Sequence, residues 1–391
     1  VLAYTHDTQL EFSLGDFSIR TTFAGGVTLA PNEQQGEYRS AWLPAPSNVQ
    51  SGTIRWNPGA PYGKPLPAVT NASETTLYAA GSSMEQAVLL LRLNGTVGSG
   101  VTDQAGLPVA LGGHPVNVVD LDTPGDSAYV PGVFGTGLHL QRSDYLVLGD
   151  ADTHPDFAYG TNGFTWSLWV RMVSCDLSQD NAVAMGGEDP HIWIGAVCPS
   201  GVAHFQVEGE QVNGPNIMDG TWHHLAASVS GSTPLIMALY LDGVQVDTGP
   251  FTLGSLSNFT KKIFLGNFPI GTAPRFNYAT DLDVDEVAIF KRGLGPAEIR
   301  ALALRGQRSA MLQVRACDGD IPGCLSRPFL GPGGQETSFF SDANNTLVQL
   351  PQEQVIPPGA LGPLVQYRIL LSAPQAVGAP VIPLVTVRLS R

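Results

Sequence analysis

The strongest constraint on this chain is a succession of short stretches in which apolar and polar residues alternate, each closed by turn-forming residues. In Phe164-Thr-Trp-Ser-Leu-Trp-Val-Arg171, the residues Phe164, Trp166, Leu168 and Val170 fall on one face, and Thr165, Ser167 and Trp169 on the other. That period of two is the signature of a β-strand. Residues 225–229 and 238–246 alternate likewise, and Asp242-Gly243 in the middle of the second run predicts a β-hairpin with a two-residue turn. Residues 88–93, Gly137-Leu-His-Leu140 and Tyr145-Leu-Val-Leu148 supply further strand candidates. The 45 glycines and 30 prolines suit many short strands joined by turns. One short helix is expected over 295–304, with Pro296 in its first turn and Ile299 and Leu302 facing inward. The fold class is therefore all-β.

At 391 residues the chain is long for one core, so two domains are expected. Residues 12–17, 26–29, 36–42 and 52–56 alternate near the start, and 310–315, 365–371 and 381–389 near the end. The first group is too small to bury a core alone, since domains below about 60 residues are marginal. Joined, the two ends make a comfortable β-sandwich. The expected organisation is an outer sandwich of residues 1–67 plus 308–391, interrupted by a second domain at 84–305; two unrelated small flanking domains are the simpler alternative. The Pro-rich stretch 58–67 would be the outgoing linker and 305–308 the return.

The middle segment resembles a known family. Phe164-Thr-Trp-Ser-Leu-Trp-Val-Arg171, Asp219-Gly-Thr-Trp-His-His-Leu-Ala226, Leu239-Tyr-Leu-Asp-Gly-Val-Gln-Val246, Asp285-Glu-Val-Ala-Ile-Phe290 and Pro296-Ala-Glu-Ile299 follow one another in an order similar to the laminin-G-like jelly roll. That family is concanavalin A-like and pentraxin-related, and is common on bacterial surfaces. The resemblance implies two stacked sheets whose loops serve binding more often than chemistry. The flanking motifs at 52–56, 312–317, 329–333 and 366–371 resemble, loosely, a discoidin-like module of bacterial surface proteins. Within the jelly roll, Trp166, Trp193 and Trp222 are expected mainly in the core, with Trp169 on the opposite face. His223 and His224 occupy adjacent strand positions, so at most one faces the interior.

Composition narrows the partners. Only 14% of residues are charged, yet the formal net charge is −14. Phosphate binding wants a basic stripe, so nucleic acid and anionic lipid are unfavourable partners. No apolar run approaches the ~20 residues of a membrane span. Cys175/Cys198 and Cys317/Cys324 form two local pairs without zinc spacing, and two disulfides in an oxidising compartment are expected, against four free thiols. The chain begins at Val1 without a leader, as either a processed or a trimmed sequence would. A secreted or cell-surface protein follows. Asn71, Asn94, Asn258 and Asn344 match the glycosylation acceptor pattern, whose use depends on the host.

Calcium is the cofactor weighed. In pentraxin relatives an Asp-Asn pair one strand after the tryptophan-rich strand binds calcium, which the resemblance places at Asp180-Asn181, with Asn267 as partner. The acidic cluster those relatives carry next is absent, since Phe268-Pro-Ile-Gly-Thr follows. Asp150, Asp152 and Asp156 form an alternative single site on an acidic loop, because calcium takes six to eight oxygens. The alternative is that these acids solvate turns. No catalytic motif stands out. Laminarinase-type hydrolases carry Glu-x-Asp-x-x-Glu, with carboxylates ~5 Å apart. Asp281-Leu-Asp-Val-Asp-Glu286 matches the spacing but begins with Asp, and is already explained as a strand of the non-catalytic family. Two functions remain: a binding or adhesion protein recognising glycan or protein ligands at a cell surface or in extracellular matrix, and a structural subunit assembling with copies of itself into a filament, sheath or matrix. For the second, residues 1–14 form an extended leader able to add to a neighbouring sheet edge.

Overall fold

A computed structural model of the protein describes residues 1–391 except 68–73, 75–77, 79–81, 96–116, 120–127, 142–144, 151–162, 176–180, 188–190, 231–234, 253–261, 267–268, 271–272, 275–280, 320, 343–352 and 375–377. The chain divides into two compact units, one formed by Val1–Lys64, Glu74–Gly81 and Leu304–Arg391, the other by Pro65–Ser73 and Ser82–Ala303. The boundaries differ from the expected ones by a few residues. Glu74 and Tyr78 belong to the first unit because their side chains bond there to Arg305, Lys64 and Asp342.

The unit of residues 82–303 contains an eight-stranded and a seven-stranded sheet. In spatial order the first runs Ala128–Pro131, Thr136–Leu140, Leu282–Phe290, Phe164–Met172, His223–Ser230, Leu235–Leu241 and Val244–Phe251, with Ala87–Leu91 also paired to Leu282–Phe290. The second runs Glu210–Asn216, Val202–Val207, Ile192–Val197, Asn181–Gly187, Lys262–Gly266, Tyr145–Asp150 and Asn117–Val119. Trp166, Leu168, Val170 and Leu225 of one sheet pack with Ile194, Phe205 and Leu265 of the other in a single buried cluster. This is the face that the alternation assigns inward. Sheet-on-sheet packing of this kind needs apolar residues at every second position.

The outer face of the eight-stranded sheet is also largely apolar at one end. Leu90, Ala226, Tyr240, Ala288 and Phe290 pack there beneath Ile299 and Leu302 of the helix Pro296–Gln307. Proline opens that helix because its missing N–H would be unpaired in the first turn anyway. The carboxylate of Glu298 accepts the Gly295 N–H at 3.0 Å. Residues 305–307, expected as linker, are the helix's last turn. The hairpin turn at Asp242-Gly243 has φ of 52° and 77°, the paired positive values of a type I′ turn.

In the other unit, Leu2–His6, Leu384–Ser390, Ser51–Asn57 and Gln354–Val355 make a four-stranded sheet in that order. A six-stranded sheet is built on Gln35–Arg39, Leu364–Ser372 and Ser309–Cys317, and a three-stranded one on Val381–Ile382, Val27–Leu29 and Thr21–Phe23. Phe12, Tyr38, Trp56, Leu312, Tyr367 and Val387 share one core, drawn from both ends of the chain. Two local expectations are corrected. Residues 9–13 are helical rather than extended, because Thr8 caps the Glu11 N–H and Glu11 reaches back to the Thr8 N–H. The leader is not a loose tail, since Leu2–His6 pairs antiparallel with Leu384–Ser390 and forms the edge strand of its sheet. Cys175 is bonded to Cys198 and Cys317 to Cys324, with Cα separations of 5.7 and 5.2 Å.

Candidate functional site

The outer face of the eight-stranded sheet changes character at its other end. The strand Leu282–Phe290 pairs Ala288 with Ser167 but Asp285 with Trp169, so it carries an extra residue there. Such a bulge resets which side chains face out. Val284, Val287 and Ile289 enter the core, while Asp283 lies directly between Arg171 on one neighbouring strand and His139 on the other. Cross-strand neighbours on one face are within side-chain reach. Arg171 donates its Nε–H to Asp283 Oδ2 at 2.6 Å, and His139 Nδ1 is 2.7 Å from Oδ1. Burial pushes the Asp283 carboxyl up, but the hydrogen bonds from His139 and Arg171 outweigh it and hold the group below its ordinary range.

Trp222 completes the group. It is half-buried, and the Arg171 guanidinium lies 5.2 Å from the centre of its ring. Its far edge crosses Gly137, where a Cβ would sit 3.2 Å from Trp222 Cη2 and 2.7 Å from the Val284 carbonyl oxygen. Gly137 therefore provides the floor on which the indole lies. Arg171 and His139 keep 31% and 29% of their side chains exposed, whereas Asp283 keeps only 9%. The result is an indole with the Arg171 guanidinium over its ring, and an imidazole and that guanidinium fixed by one buried carboxylate.

Deeper groups hold this patch in place. Asp285 accepts the N–H groups of Val133 and Phe134 at 2.8 and 2.9 Å. Burial, then the neighbouring Glu286 charge, raises its pKa well above the ordinary value. Trp169 meets Phe134 and His224 edge-on. His224 Nε2 is 2.9 Å from Ser167 Oγ. His223 bonds Asp242 at 2.9 Å and approaches Asp219 at 3.3 Å. The Asp242 hydrogen bond, opposed by burial, raises the His223 pKa.

Two of the expected tryptophan positions hold and two are corrected. Trp166 is fully buried in the core, and Trp169 is buried on the opposite face. Trp193 is buried outside that core: its neighbours Ile192 and Ile194 enter it, so the indole points to the other face, in a separate cluster with Val183 and Phe264, and stacks on His204 with centroids 4.3 Å apart. Trp222 precedes the strand His223–Ser230, so the indole turns out over Gly137 instead of entering the core.

Among the expected calcium ligands, Asp180, Asn267, Asp152 and Asp156 lie outside the described residues. Asn181 opens the strand Asn181–Gly187 and is half-buried. Asp150 closes the strand Tyr145–Asp150, opposite Lys262. Lys262–Gly266 runs between these two strands, pairing Tyr145 with Gly266 and Gly187 with Ile263. Asn181 and Asp150 consequently sit at opposite ends of the sheet. Among the described residues, no group of three or more histidine, cysteine or carboxylate side chains converges as metal ligands. The expected hydrolase-like run is distributed otherwise: Asp281 is exposed, Asp283 holds Arg171 and His139, and Glu286 accepts the Leu66 N–H at 2.9 Å. Arg171 and His139 escaped the sequence reading because their common partner is set by strand pairing. The one signal present was polar residues at alternate positions of Leu282-Asp-Val-Asp285 within an apolar strand.

Residues 141–300 match the family model of the concanavalin A-like lectin/glucanases superfamily, consistent with the jelly-roll sandwich of this unit. Domain 4 of an extracellular arabinanase from Geobacillus stearothermophilus, solved with arabinotriose, is similar at 21% identity and a TM-score of 0.40, covering 56% of this chain and 98% of that one. The binding domain of botulinum neurotoxin DC, solved with rat synaptotagmin II, is similar at 15% identity and a TM-score of 0.41, over 57% of this chain and 52% of that one. Trypanosoma rangeli sialidase is similar at 16% identity and a TM-score of 0.39, over 56% of this chain and 32% of that one. The chain thus spans about half and a third of the length of the last two. No curated protein matches the chain.

Proposed function

We propose that the chain is a non-catalytic binding protein, secreted or displayed at a cell surface, and that its jelly-roll unit recognises glycan through the outer face of the eight-stranded sheet. The observation that carries this reading is the half-exposed Trp222 beside Arg171 and His139, both braced on Asp283. A sugar offers one apolar face of C–H groups and a rim of hydroxyls. An indole suits the first, and a guanidinium and an imidazole suit the second. Arg171 bonds Asp283 through its Nε–H, and its terminal N–H groups suit hydroxyls or an acidic sugar. The lectin/glucanase family match supports the same reading. Glycoside hydrolysis is disfavoured because Asp283 and Glu286 are engaged in structural hydrogen bonds. A protein ligand at the same face is the variant to be separated by experiment.

A glycan array probed with the full chain, with and without chelator, tests the proposal. Binding that falls at least about tenfold, about 1.4 kcal/mol, in Trp222→Ala with an unchanged melting profile is expected. Silence in both conditions overturns it. Calcium belongs to the proposal through Asp180-Asn181 with Asn267, or through Asp150, Asp152 and Asp156. An ion bound only by the folded chain raises its melting temperature, and an unchanged melting temperature at millimolar calcium would remove it.

A second reading, a structural subunit of an extracellular filament, sheath or matrix, is favoured by one observation. Val1, Leu2, Leu10 and Leu14 are exposed large apolar residues within the first fourteen, and Leu2–His6 is an edge strand of its sheet. Light scattering and negative-stain microscopy of native material separate the two, since polymers favour this reading and dilute monomers the first.

A further inference from the structure

The glycan reading does not account for a knot of charge in the other unit. Lys64, Glu74, Tyr78, Arg305 and Asp342 are each no more than 3% exposed. Arg305 grips Glu74 through both terminal nitrogens, the Nη2–Oε1 distance being 3.4 Å, and its Nε–H donates to the Lys64 carbonyl at 2.9 Å. The Lys64 ammonium lies 3.3 Å from Glu74 Oε1 and donates to the Tyr78 hydroxyl oxygen at 2.9 Å. That hydroxyl in turn donates to Asp342 Oδ2 at 2.9 Å. The amine and the carboxyl are therefore joined through a single hydroxyl group.

Two ion pairs at this depth are expensive, since each buried ion costs several kcal/mol of lost hydration. Arg305 and Glu74 neutralise one another in a forked pair, the arrangement best able to repay that cost. Lys64 and Asp342 have a different way to shed their charge. Burial lowers the Lys64 pKa, and burial raises that of Asp342 to about 6 against the opposing pull of Lys64. Both shifts run toward the neutral amine and the neutral acid.

We propose that Lys64 and Asp342 condense into an intramolecular amide, with Tyr78 relaying the proton. The Lys64 nitrogen attacks the Asp342 side-chain carbonyl carbon and the C–N bond forms. The C–O bond to the departing oxygen breaks. The proton lost by the nitrogen passes through the Tyr78 hydroxyl to that oxygen, which leaves as water. No oxidant, reductant or co-reactant is required. The product removes one positive and one negative charge together, so the remaining Arg305–Glu74 pair is electrically complete. The bond would tie position 64 to position 342 and constrain the unfolded chain as a disulfide does.

Mass spectrometry of the denatured, reduced full-length chain reads this directly. The expected mass is one water below that of the sequence, and digestion is expected to yield a branched peptide joining the Lys64 and Asp342 segments. Lys64→Arg and Asp342→Ala should each return to full mass for their sequence, and Tyr78→Phe should condense incompletely. A native-sequence chain at full mass, with Lys64 in a linear peptide, overturns the proposal. Complete condensation of Tyr78→Phe overturns the relay.

Discussion

His224 is 2% exposed, edge-on to Trp169, and bonded through Nε2 to Ser167. Burial lowers its pKa from 6.5 to about 4. Between those values the unfolded chain binds a proton that the folded chain refuses. The stabilisation is therefore complete above pH 6.5 and is lost as pH falls toward 4. At 1.36 kcal/mol per unit, the loss between pH 7 and pH 4 is about 3 kcal/mol from this one ring. His224→Gln keeps a polar group toward Ser167 but cannot titrate. Urea unfolding of both proteins at pH 7 and pH 4, followed by tryptophan fluorescence, measures the difference of differences. The native sequence should lose about 3 kcal/mol more than the variant. Asp285, whose folded pKa is raised, acts in the opposite sense but is common to both proteins. Identical pH dependence in the two proteins would refute the reasoning, whatever the absolute stability of the variant.

Other perturbations have equally definite outcomes. Trp166→Ala opens a cavity in a fully buried core position and should cost about 3–5 kcal/mol by chemical denaturation. Gly137→Ala places a methyl group 2.7 Å from a backbone oxygen and 3.2 Å from Trp222. It should cost about 1–3 kcal/mol and weaken glycan binding together with Trp222→Ala. Unchanged binding would detach Gly137 from the site. Replacing both Cys175 and Cys198 by serine opens a link of sequence separation 23, and a loss of about 3 kcal/mol is expected in denaturant titrations.

The parts of this molecule legible in its sequence are those governed by short-range rules. Phe164, Trp166, Leu168 and Val170 could be assigned inward because side-chain direction alternates along any strand, and they lie in the core. Asp242-Gly243 announced its turn because few residues tolerate two successive positive φ values. Residues 9–13 alternate like a strand, but the local Thr8–Glu11 capping box makes them helical. The site was harder. Asp283 meets Arg171 and His139 across 112 and 144 residues of chain, and neither separation carries a spacing signal. The bulge that turns Asp283 and Asp285 outward is a property of the pairing and cannot be seen in one strand alone. Trp222 misled because an indole beside a strand is more often core than plate.

The antiparallel pairing of the first and last strands has a mechanical consequence. Leu2 faces Leu389, so both chain ends emerge at the same edge of one ladder. Tension drawn through the termini would load a single rung at a time and open the seam like a zipper, instead of shearing all its hydrogen bonds together. Any fibre built to withstand stretching would have to route its load through other points of attachment.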